Sequence, residues 1–337
     1  MLHEIPYDVR RKIYDYIMPS SVHIWTTGGV TRLFSCVPPP AIDPKEPGRE
    51  CQEGLPLEAD KWDESHTETW AVRLRSSWGP HWKCEEKAKE LVDNLDTIEV
   101  LLQVNKQINA DIVDLIVTSA EVIIADIASF ETFVRRSVDF KFSCRFEDVQ
   151  KLRIVAKLHT RALETIERRN QTPTKDSTGE IAERNDPEVV AWQRLSSTLA
   201  HVTALRTLRV WLDRSEEHYW TTVDESAILA PLRPLADRGQ LDVCIELPRH
   251  YNDDITTFPF KVTRRLRQRF FGHIESQCKP RTFQKDDFPM LLDDDEFSVY
   301  GLSAAELEKA ERALWRDGVD IERDIIFYGC FVYRGTV

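Results

Sequence analysis

The sequence lacks an uninterrupted apolar run of the length that crosses a bilayer, which argues against a membrane-spanning protein. Its most apolar stretch, LIVTSAEVIIADIASF, is broken by Glu121 and Asp126. The chain does not open with a positively charged leader and an apolar segment, so we expect no secretion. Lys and Arg number 45 against 57 Asp and Glu, giving a net charge of −12. This deficit of positive charge argues against general nucleic-acid binding.

Familiar catalytic motifs are also missing: the sequence contains no GxSxG, GxxxxGK[ST], HExxH or GxGxxG. Catalytic groups can still assemble from distant positions, but the absence favours a protein with no catalytic residues and no cofactor. The seven cysteines include no CxxC pair. An odd number of unpaired thiols is typical of the reducing cytoplasm or nucleus, where we expect this protein.

The first recognisable element is an amphipathic helix. Pro6 suits a first helical position, where its missing N–H is not needed. Val9, Ile13, Tyr16 and Ile17 then recur at helical spacing and form one apolar stripe. The next segment, VHIWTTGGVTRLFSC, has two β-prone runs on either side of a Gly-Gly pair, which predicts a β-hairpin.

Two contrasting regions follow the hairpin. Residues 38–61 are rich in proline and charge, which predicts an exposed insertion, and a tryptophan-rich piece comes next. A long helical region is predicted from about Glu85 to Val117. Its apolar face contains Leu101, Val104, Ile108, Ile112 and Leu115.

Beyond residue 120, short apolar runs alternate with helical patterns. VIIADI, LRIVAKL, LRVWL and LDVCIEL are typical of buried strands. Asp186 and Pro187 predict the start of a helix, whose buried side is Leu195, Leu199, Val202 and Leu205. The polar stretch near 168–187 predicts a disordered loop. Strands that alternate with helices indicate an α/β fold with a mostly parallel sheet, similar to a degenerate leucine-rich repeat.

One pair of metal-ligand residues occurs in HWKC, where His81 and Cys84 have a ligand-like spacing. Cys51 and His66 lie upstream as further donors. Structural zinc sites usually show two tight pairs, and only one is visible. We therefore expect aromatic packing with incidental His and Cys, and no metal.

A local basic cluster occurs in KVTRRLRQRFF, within a chain that is otherwise acidic. A cluster of this kind could attract an acidic partner, a phosphate or an import receptor. It is more often a solvated helix face anchored by its aromatic residues. We retain it as a possible interaction patch, comprising Lys261, Arg264, Arg265, Arg267 and Arg269.

Two motifs together resemble a known family. IPYDVRRKIYDYI resembles the F-box-like opening Leu-Pro-x-Glu-Ile-Arg-x-x-Ile-Tyr-x-Tyr of filamentous-fungal proteins, with direct matches at Pro6, Arg10, Ile13, Tyr14 and Tyr16. LLQVNKQINADIVDLI resembles that family's second motif, Leu-Leu-x-Val-Cys-Arg-Gln-Ile-x-x-Glu-Ala. Here Asn105 replaces the cysteine and Ile112 the alanine.

The resemblance implies F-box-like helices with an inserted hairpin over residues 1–118, followed by a strand–helix domain over 119–337. It also implies a non-enzymatic interaction protein that docks the Skp-type adaptor of a cullin–RING ubiquitin ligase and recruits an unknown target. The alternative is a structural or scaffold protein in which the same helices are internal core. The docking residues it implies are Ile5, Pro6, Val9, Ile13, Ile17, Leu102, Val104 and Ile108.

Overall fold

A computed structural model describes residues 5–27, 30–37, 76–91, 94–135, 146–171, 186–215, 220, 223–248, 257–265, 271–274, 280–283, 306 and 310. The helices within these ranges are α1 (Tyr7–Ile17), α2 (Trp82–Glu90), α3 (Thr97–Val104), α4 (Lys106–Thr118), α5 (Ile127–Arg135), α6 (Thr160–Gln171), α7 (Pro187–Gln193), α8 (Leu195–Leu199) and α9 (Glu225–Leu229). The strands are β1 (Ser21–Thr27), β2 (Val30–Ser35), β3 (Glu121–Ile124), β4 (Lys151–Leu158), β5 (Thr207–Arg214), β6 (Asp242–Pro248), β7 (Lys261–Arg265), β8 (Phe271–Ile274) and β9 (Pro280–Phe283).

A seven-stranded, mostly parallel sheet forms the centre of this mixed α/β fold, in the order β2-β1-β3-β4-β5-β6-β7. Within this sheet β2 alone is antiparallel to its neighbour, because it is the second arm of the predicted hairpin. The four apolar runs beyond residue 120 form β3, β4, β5 and β6, as predicted. The parallel pairing of β1 with β3 joins strands on either side of residue 118. A separate pair, β8 and β9, is antiparallel.

The main core lies on one face of this sheet. Alternate strand residues such as Ile24, Ile154 and Val210 belong to the same buried cluster as helix residues such as Ile112 and Trp192. The predicted burial of Leu195, Leu199, Val202 and Leu205 is confirmed. They do not lie on the helix that starts after Asp186, however, because the first two belong to α8 and the last two follow it. Asp186 begins α7 by accepting a hydrogen bond from the Glu188 backbone N–H at 2.9 Å.

The opposite face of the sheet is covered in part by the segment that contains α2. Ile123, Val155 and Trp211 form a smaller apolar cluster on that face. Gly79 approaches Trp211 so closely that a Cβ atom would lie 2.5 Å from the indole ring, and its φ is +52°. Lys157 extends from β4 and donates a hydrogen bond to a carbonyl oxygen of this segment, that of Ser76, at 3.0 Å.

The helical region predicted from about residue 85 to residue 117 consists of three separate helices, α2, α3 and α4. Asp96 precedes α3, and its side chain accepts a hydrogen bond from the Ile98 N–H at 3.1 Å. Asn105 has extended backbone angles, and its side chain accepts from the Ile108 N–H at 2.8 Å. Both are N-cap residues, which begin a new helix and so interrupt the preceding one.

Several sequence predictions lie outside the described residues. The proline-rich insertion at 38–61 is one of them. Of the loop predicted near 168–187, the first residues belong to α6, which continues to Gln171, and residues 172–185 are not described. Among the described helices, none combines the length and the apolar character that crossing a membrane requires.

Candidate functional site

Helix α1 is attached to the body of the protein through polar residues. Arg10 and Tyr14 are its buried side chains, with 6% and 2% of their surface exposed. The Arg10 Nε donates to Asp111 Oδ2 of α4 at 2.7 Å, and the Tyr14 hydroxyl lies 3.3 Å from the same oxygen. At the start of the helix, the Tyr7 hydroxyl donates to Asp114 at 2.8 Å. The inner face of α1 therefore consists of hydrogen-bonding groups.

Asp111 accepts hydrogen bonds on both of its carboxylate oxygens. Gln107 donates to Oδ1 at 2.9 Å, while Arg10 and Tyr14 contact Oδ2. Burial acts to raise the pKa of Asp111, but the hydrogen bonds from Arg10 and Gln107 outweigh burial and leave the pKa lowered. Asp111 is therefore ionised, and its negative charge balances the positive charge of the Arg10 guanidinium.

The apolar stripe of α1 faces away from the body of the protein. Val9, Ile13 and Ile17 are 47%, 38% and 48% exposed, and Tyr16 is 93% exposed. Together with Tyr7, they make up most of the exposed large apolar residues in the described part of the chain. The others are Leu95, Val100 and Val104, before and within α3. Exposed apolar side chains that cluster in this way are typical of interaction surfaces.

The remaining residues expected in docking divide between the surface and the core. Pro6 and Val104 are exposed, and Ile5 is half-buried. Leu102 and Ile108 are only 5% and 3% exposed, so they belong to the core of the α3–α4 pair and do not extend the apolar stripe. They are internal because α3 and α4 pack closely against each other on either side of Asn105.

The basic cluster adopts a different structure from the solvated helix face that its sequence favours. Lys261, Arg264 and Arg265 belong to strand β7, parallel to β6. Arg264 forms two hydrogen bonds with the carboxylate of Glu225, at 2.5 and 2.8 Å. Arg265 lies 2.8 Å from an oxygen of Asp213 and has its guanidinium 4.0 Å from the ring centre of Trp211. Two arginines of the patch are therefore neutralised by carboxylates of the same chain.

The remaining residues of the patch are Lys261, Arg267 and Arg269. Arg267 and Arg269 lie outside the described residues. Lys261 is exposed at the start of the strand. The described part of the patch is therefore mainly an element of the fold, because its arginines attach β7 to α9 and β5.

A cluster of four metal-ligand residues lies where the hairpin meets the start of α2. It comprises His23 in β1, Cys36 after β2, His81 and Cys84. Their potential ligand atoms all lie within 4.8 Å of one another. The sequence pattern identified His81 and Cys84 but missed the two hairpin residues. The upstream donors considered instead, Cys51 and His66, lie outside the described residues.

The side chains of this Cys-His cluster are enclosed and closely spaced. The Cys36 and Cys84 Sγ atoms are 3.7 Å apart, and His81 Nδ1 is 3.5 Å from the first and 3.9 Å from the second. His23 is fully buried and packs against the rings of Phe34 and Trp78, at centroid distances of 5.2 and 5.3 Å.

The electrostatics of the cluster favour a neutral imidazole beside a thiolate. Burial lowers the pKa of His23, which favours the form with a free lone pair. The hydrogen bond between the two thiols lowers the pKa of Cys84 and raises that of Cys36, so that the pair holds one thiolate. His23 and His81 also lower the pKa of Cys84, and burial opposes this. Neutral imidazole nitrogens and thiolate sulfurs are the ligand forms that soft and borderline metal ions prefer.

The fold and these two sites define an α/β protein with an outward apolar helix and an enclosed Cys-His cluster. A family model described as "Domain of unknown function (DUF7730)" matches residues 1–265. The chain therefore belongs to the DUF7730 family, and the match includes both motifs, the Cys-His cluster and the sheet through β7. No curated protein and no solved structure matches the chain.

Proposed function

We propose that this protein is a non-enzymatic interaction module that uses α1 to dock an Skp-type adaptor of a cullin–RING ubiquitin ligase. The observation that carries the proposal is the orientation of α1, whose apolar stripe of Val9, Ile13, Tyr16 and Ile17 faces solvent. In this role the protein brings a target to the ligase and performs no chemistry itself. The α/β part of the chain provides the surface that holds the target.

The way in which α1 is attached supports a docking role. A surface helix normally buries its apolar stripe and presents polar residues to water. Here Arg10 and Tyr14 are inside, and the stripe is outside. The buried ion pair between Arg10 and Asp111 keeps this face of α1 directed toward the body of the protein. An apolar face that its own chain leaves exposed is available to a partner with an apolar groove.

The residues that carry the F-box-like resemblance fall into two groups with different positions. Arg10 and Tyr14 point inward and hold the helix in place, whereas Ile13 and Tyr16 point outward. This division supports an adaptor as the occupant, because the family's opening motif would then encode both the support and the docking face. A ligase-recruiting role also implies a location in the cytoplasm or nucleus.

The energetic gain from covering this stripe is sufficient for a specific contact. Fully burying a valine or isoleucine side chain contributes about 1.5–3 kcal/mol. Since Val9, Ile13 and Ile17 are each roughly half exposed, we expect about 1 kcal/mol from each and more from Tyr16, which is almost fully exposed. These residues would form the centre of the interface, where most binding energy usually resides.

The test is co-purification of the full chain with a fungal Skp-type adaptor. We expect the wild type to retain the adaptor and the Ile13→Asp, Ile17→Asp double variant to lose it, because carboxylates in an apolar groove would be desolvated without partners. The matched control is the Arg11→Gln, Lys12→Gln double variant. It changes the net charge of α1 by the same amount but leaves the apolar stripe intact, and both residues are exposed.

The control is expected to bind like the wild type. If the wild type is folded and does not retain the adaptor, the ligase role is wrong, and the scaffold alternative takes its place. If the control loses binding as strongly as the Asp variant does, the contact depends on charge and not on the apolar stripe. Circular dichroism of all three proteins establishes that they are folded.

A further inference from the structure

We propose that His23, Cys36, His81 and Cys84 together bind one zinc ion that fastens the β1–β2 hairpin to α2. This site does not depend on adaptor docking, because it shares no residue with α1 or with the apolar stripe. All four side chains are donors of the types found in Cys₂His₂ zinc sites. Three of them are buried and Cys36 is half-buried.

The spacing of the donor atoms matches tetrahedral zinc. With zinc–sulfur bonds of about 2.3 Å and zinc–nitrogen bonds of about 2.05 Å, tetrahedral angles place two sulfurs about 3.8 Å apart and a sulfur about 3.6 Å from a nitrogen. The two Sγ atoms are 3.7 Å apart, and His81 Nδ1 lies 3.5 and 3.9 Å from them. Three vertices of the tetrahedron are therefore already in place, and His23 supplies the fourth from within 4.8 Å.

His23 provides an independent indication of a ligand. Its side chain has no solvent exposure, and neither ring nitrogen has a hydrogen bond of normal geometry within the described residues, although the Cys84 sulfur lies within 4.8 Å. Leaving a buried polar group without a partner costs about 1–3 kcal/mol, so native structures rarely do so without a reason. A metal ion coordinated by one of these nitrogens satisfies that need. The rings of Phe34 and Trp78 pack against His23 and limit its movement.

Cys84 also has a hydrogen-bond donor that suits a thiolate ligand. The backbone N–H of Val37 donates to Cys84 Sγ at 3.2 Å. Hydrogen bonds of this kind stabilise metal ligands and fix their orientation. Two thiolates would balance the double charge of the zinc ion, so the occupied site would be neutral where it is enclosed. The nearby Lys87 is itself paired with Asp96 at 2.7 Å.

A disulfide and incidental aromatic packing both fit the cluster less well than zinc does. A disulfide between Cys36 and Cys84 would require the sulfur atoms to approach from 3.7 Å to about 2.05 Å. It would also leave both imidazoles without a role. Incidental packing accounts for the ring of His23 but not for its two unsatisfied nitrogens.

The proposed site is structural and not catalytic. Four protein donors complete the tetrahedral coordination of zinc and leave no position for water or substrate. The ion would connect parts of the chain that are 45 residues apart, from Cys36 to His81. It would thereby hold α2 against the sheet face that carries Ile123 and Trp211. Because the ligand atoms come together only in the folded chain, zinc binding would stabilise the fold.

The test is elemental analysis of the full chain after purification under reducing conditions, followed by exchange of the metal for Co²⁺. We expect about one zinc per chain and, with cobalt, the visible bands of a tetrahedral ion and a near-ultraviolet thiolate-to-metal charge-transfer band. Cys84→Ser is expected to reduce the zinc content at least tenfold. Cys244→Ser is the matched control, because Cys244 is also a buried free thiol but lies in β6, away from the cluster.

His23→Phe keeps the proposal testable if Cys84→Ser does not fold. Phenylalanine preserves a ring that packs against Phe34 and Trp78 but removes both nitrogens, so we expect a folded protein with weakened metal binding. The proposal is overturned if the wild type contains no zinc and gives no cobalt spectrum. It is equally overturned if the zinc content survives a Cys36→Ser, Cys84→Ser double substitution, or if peptide mapping shows that these two cysteines form a disulfide.

Discussion

Replacing Asp111 by alanine is expected to lower the free energy of unfolding by about 2–3 kcal/mol, because it removes a carboxylate that accepts hydrogen bonds from Arg10, Gln107 and Tyr14. The side chains of Arg10 and Asp111 are almost completely covered, with exposures of 7% and 5%. Asp111 lies close beneath the surface, so the lower end of the range for buried ion pairs applies. Urea unfolding followed by circular dichroism measures the change.

The pH dependence of this effect follows from the lowered pKa of Asp111. A carboxyl group whose pKa is lower in the folded state contributes stability above its unfolded pKa, about 3.9, and loses it as the pH falls through the folded value. The stability difference between wild type and Asp111→Ala should therefore be full at pH 7 and should shrink below about pH 4. A variant as stable as the wild type at pH 7 would contradict the role given to the ion pair.

Tyr14→Phe is expected to have a smaller effect than Asp111→Ala. It removes only the hydroxyl that lies 3.3 Å from Asp111 and leaves the buried ring in place. We expect a loss of about 1 kcal/mol, the usual value for one hydrogen bond. A loss as large as that of Asp111→Ala would show that the hydrogen bond of the Tyr14 hydroxyl, and not the ion pair with Arg10, is the main contact of Asp111 with α1.

Gly79→Ala is expected to be the other strongly destabilising substitution, with a cost of roughly 2–4 kcal/mol. Its φ of +52° is unfavourable for any residue with a Cβ, and that Cβ would lie 2.5 Å from the indole of Trp211. The guanidinium of Arg265 also lies against the ring, 4.0 Å from its centre. Thermal unfolding of the variant measures the effect.

Gly239→Ala is the matched control for this prediction. A Cβ at Gly239 would meet no atom within 4 Å, so we expect a change of less than about 0.5 kcal/mol. Because Gly79 is two residues before His81, its substitution should also disturb the Cys-His cluster. Equal stabilities of the Gly79 and Gly239 variants would contradict the close contact with Trp211.

The sheet could be predicted from the sequence because its strands have simple local signals. Gly28-Gly29 lies between two β-prone runs, and the strands on either side pair as an antiparallel hairpin. The four later strands are nearly continuous apolar runs, as expected for strands buried in a parallel sheet. The pairing of β1 with β3 could not be predicted, since nothing local to either strand specifies its neighbour.

The helical region before residue 118 was harder to predict because a continuous apolar pattern concealed two helix starts. Asp96 and Asn105 carry the N-cap signal that identified Asp186, but they lie within an apolar periodicity that continues through them. The face of α1 that is buried could not be predicted from the sequence either. Its apolar stripe was visible, whereas the burial of Arg10 depends on Asp111, 101 residues later.

The Cys-His cluster was missed for a reason that lies in the hairpin register. His23 pairs with Phe34, and Ser21 accepts a hydrogen bond from the Cys36 backbone N–H at 3.0 Å. Residues two apart on one strand share a face, so His23 and Cys36 are diagonal neighbours across the hairpin. This proximity could have been inferred from Gly28-Gly29 alone. The approach of His81 and Cys84 could not, because it depends on how α2 packs on the sheet.

The orientation of α1 is tested most directly by the stability of the Ile13→Asp, Ile17→Asp double variant measured without any partner. We expect its free energy of unfolding to lie within about 2 kcal/mol of the wild-type value, because both residues are only about half buried and substitutions on the surface have small effects. Tyr14→Ala, on the buried side of the same helix, is expected to lose about 3 kcal/mol or more. If the double Asp variant is unfolded while Tyr14→Ala is stable, the apolar stripe faces inward, and the docking surface does not exist.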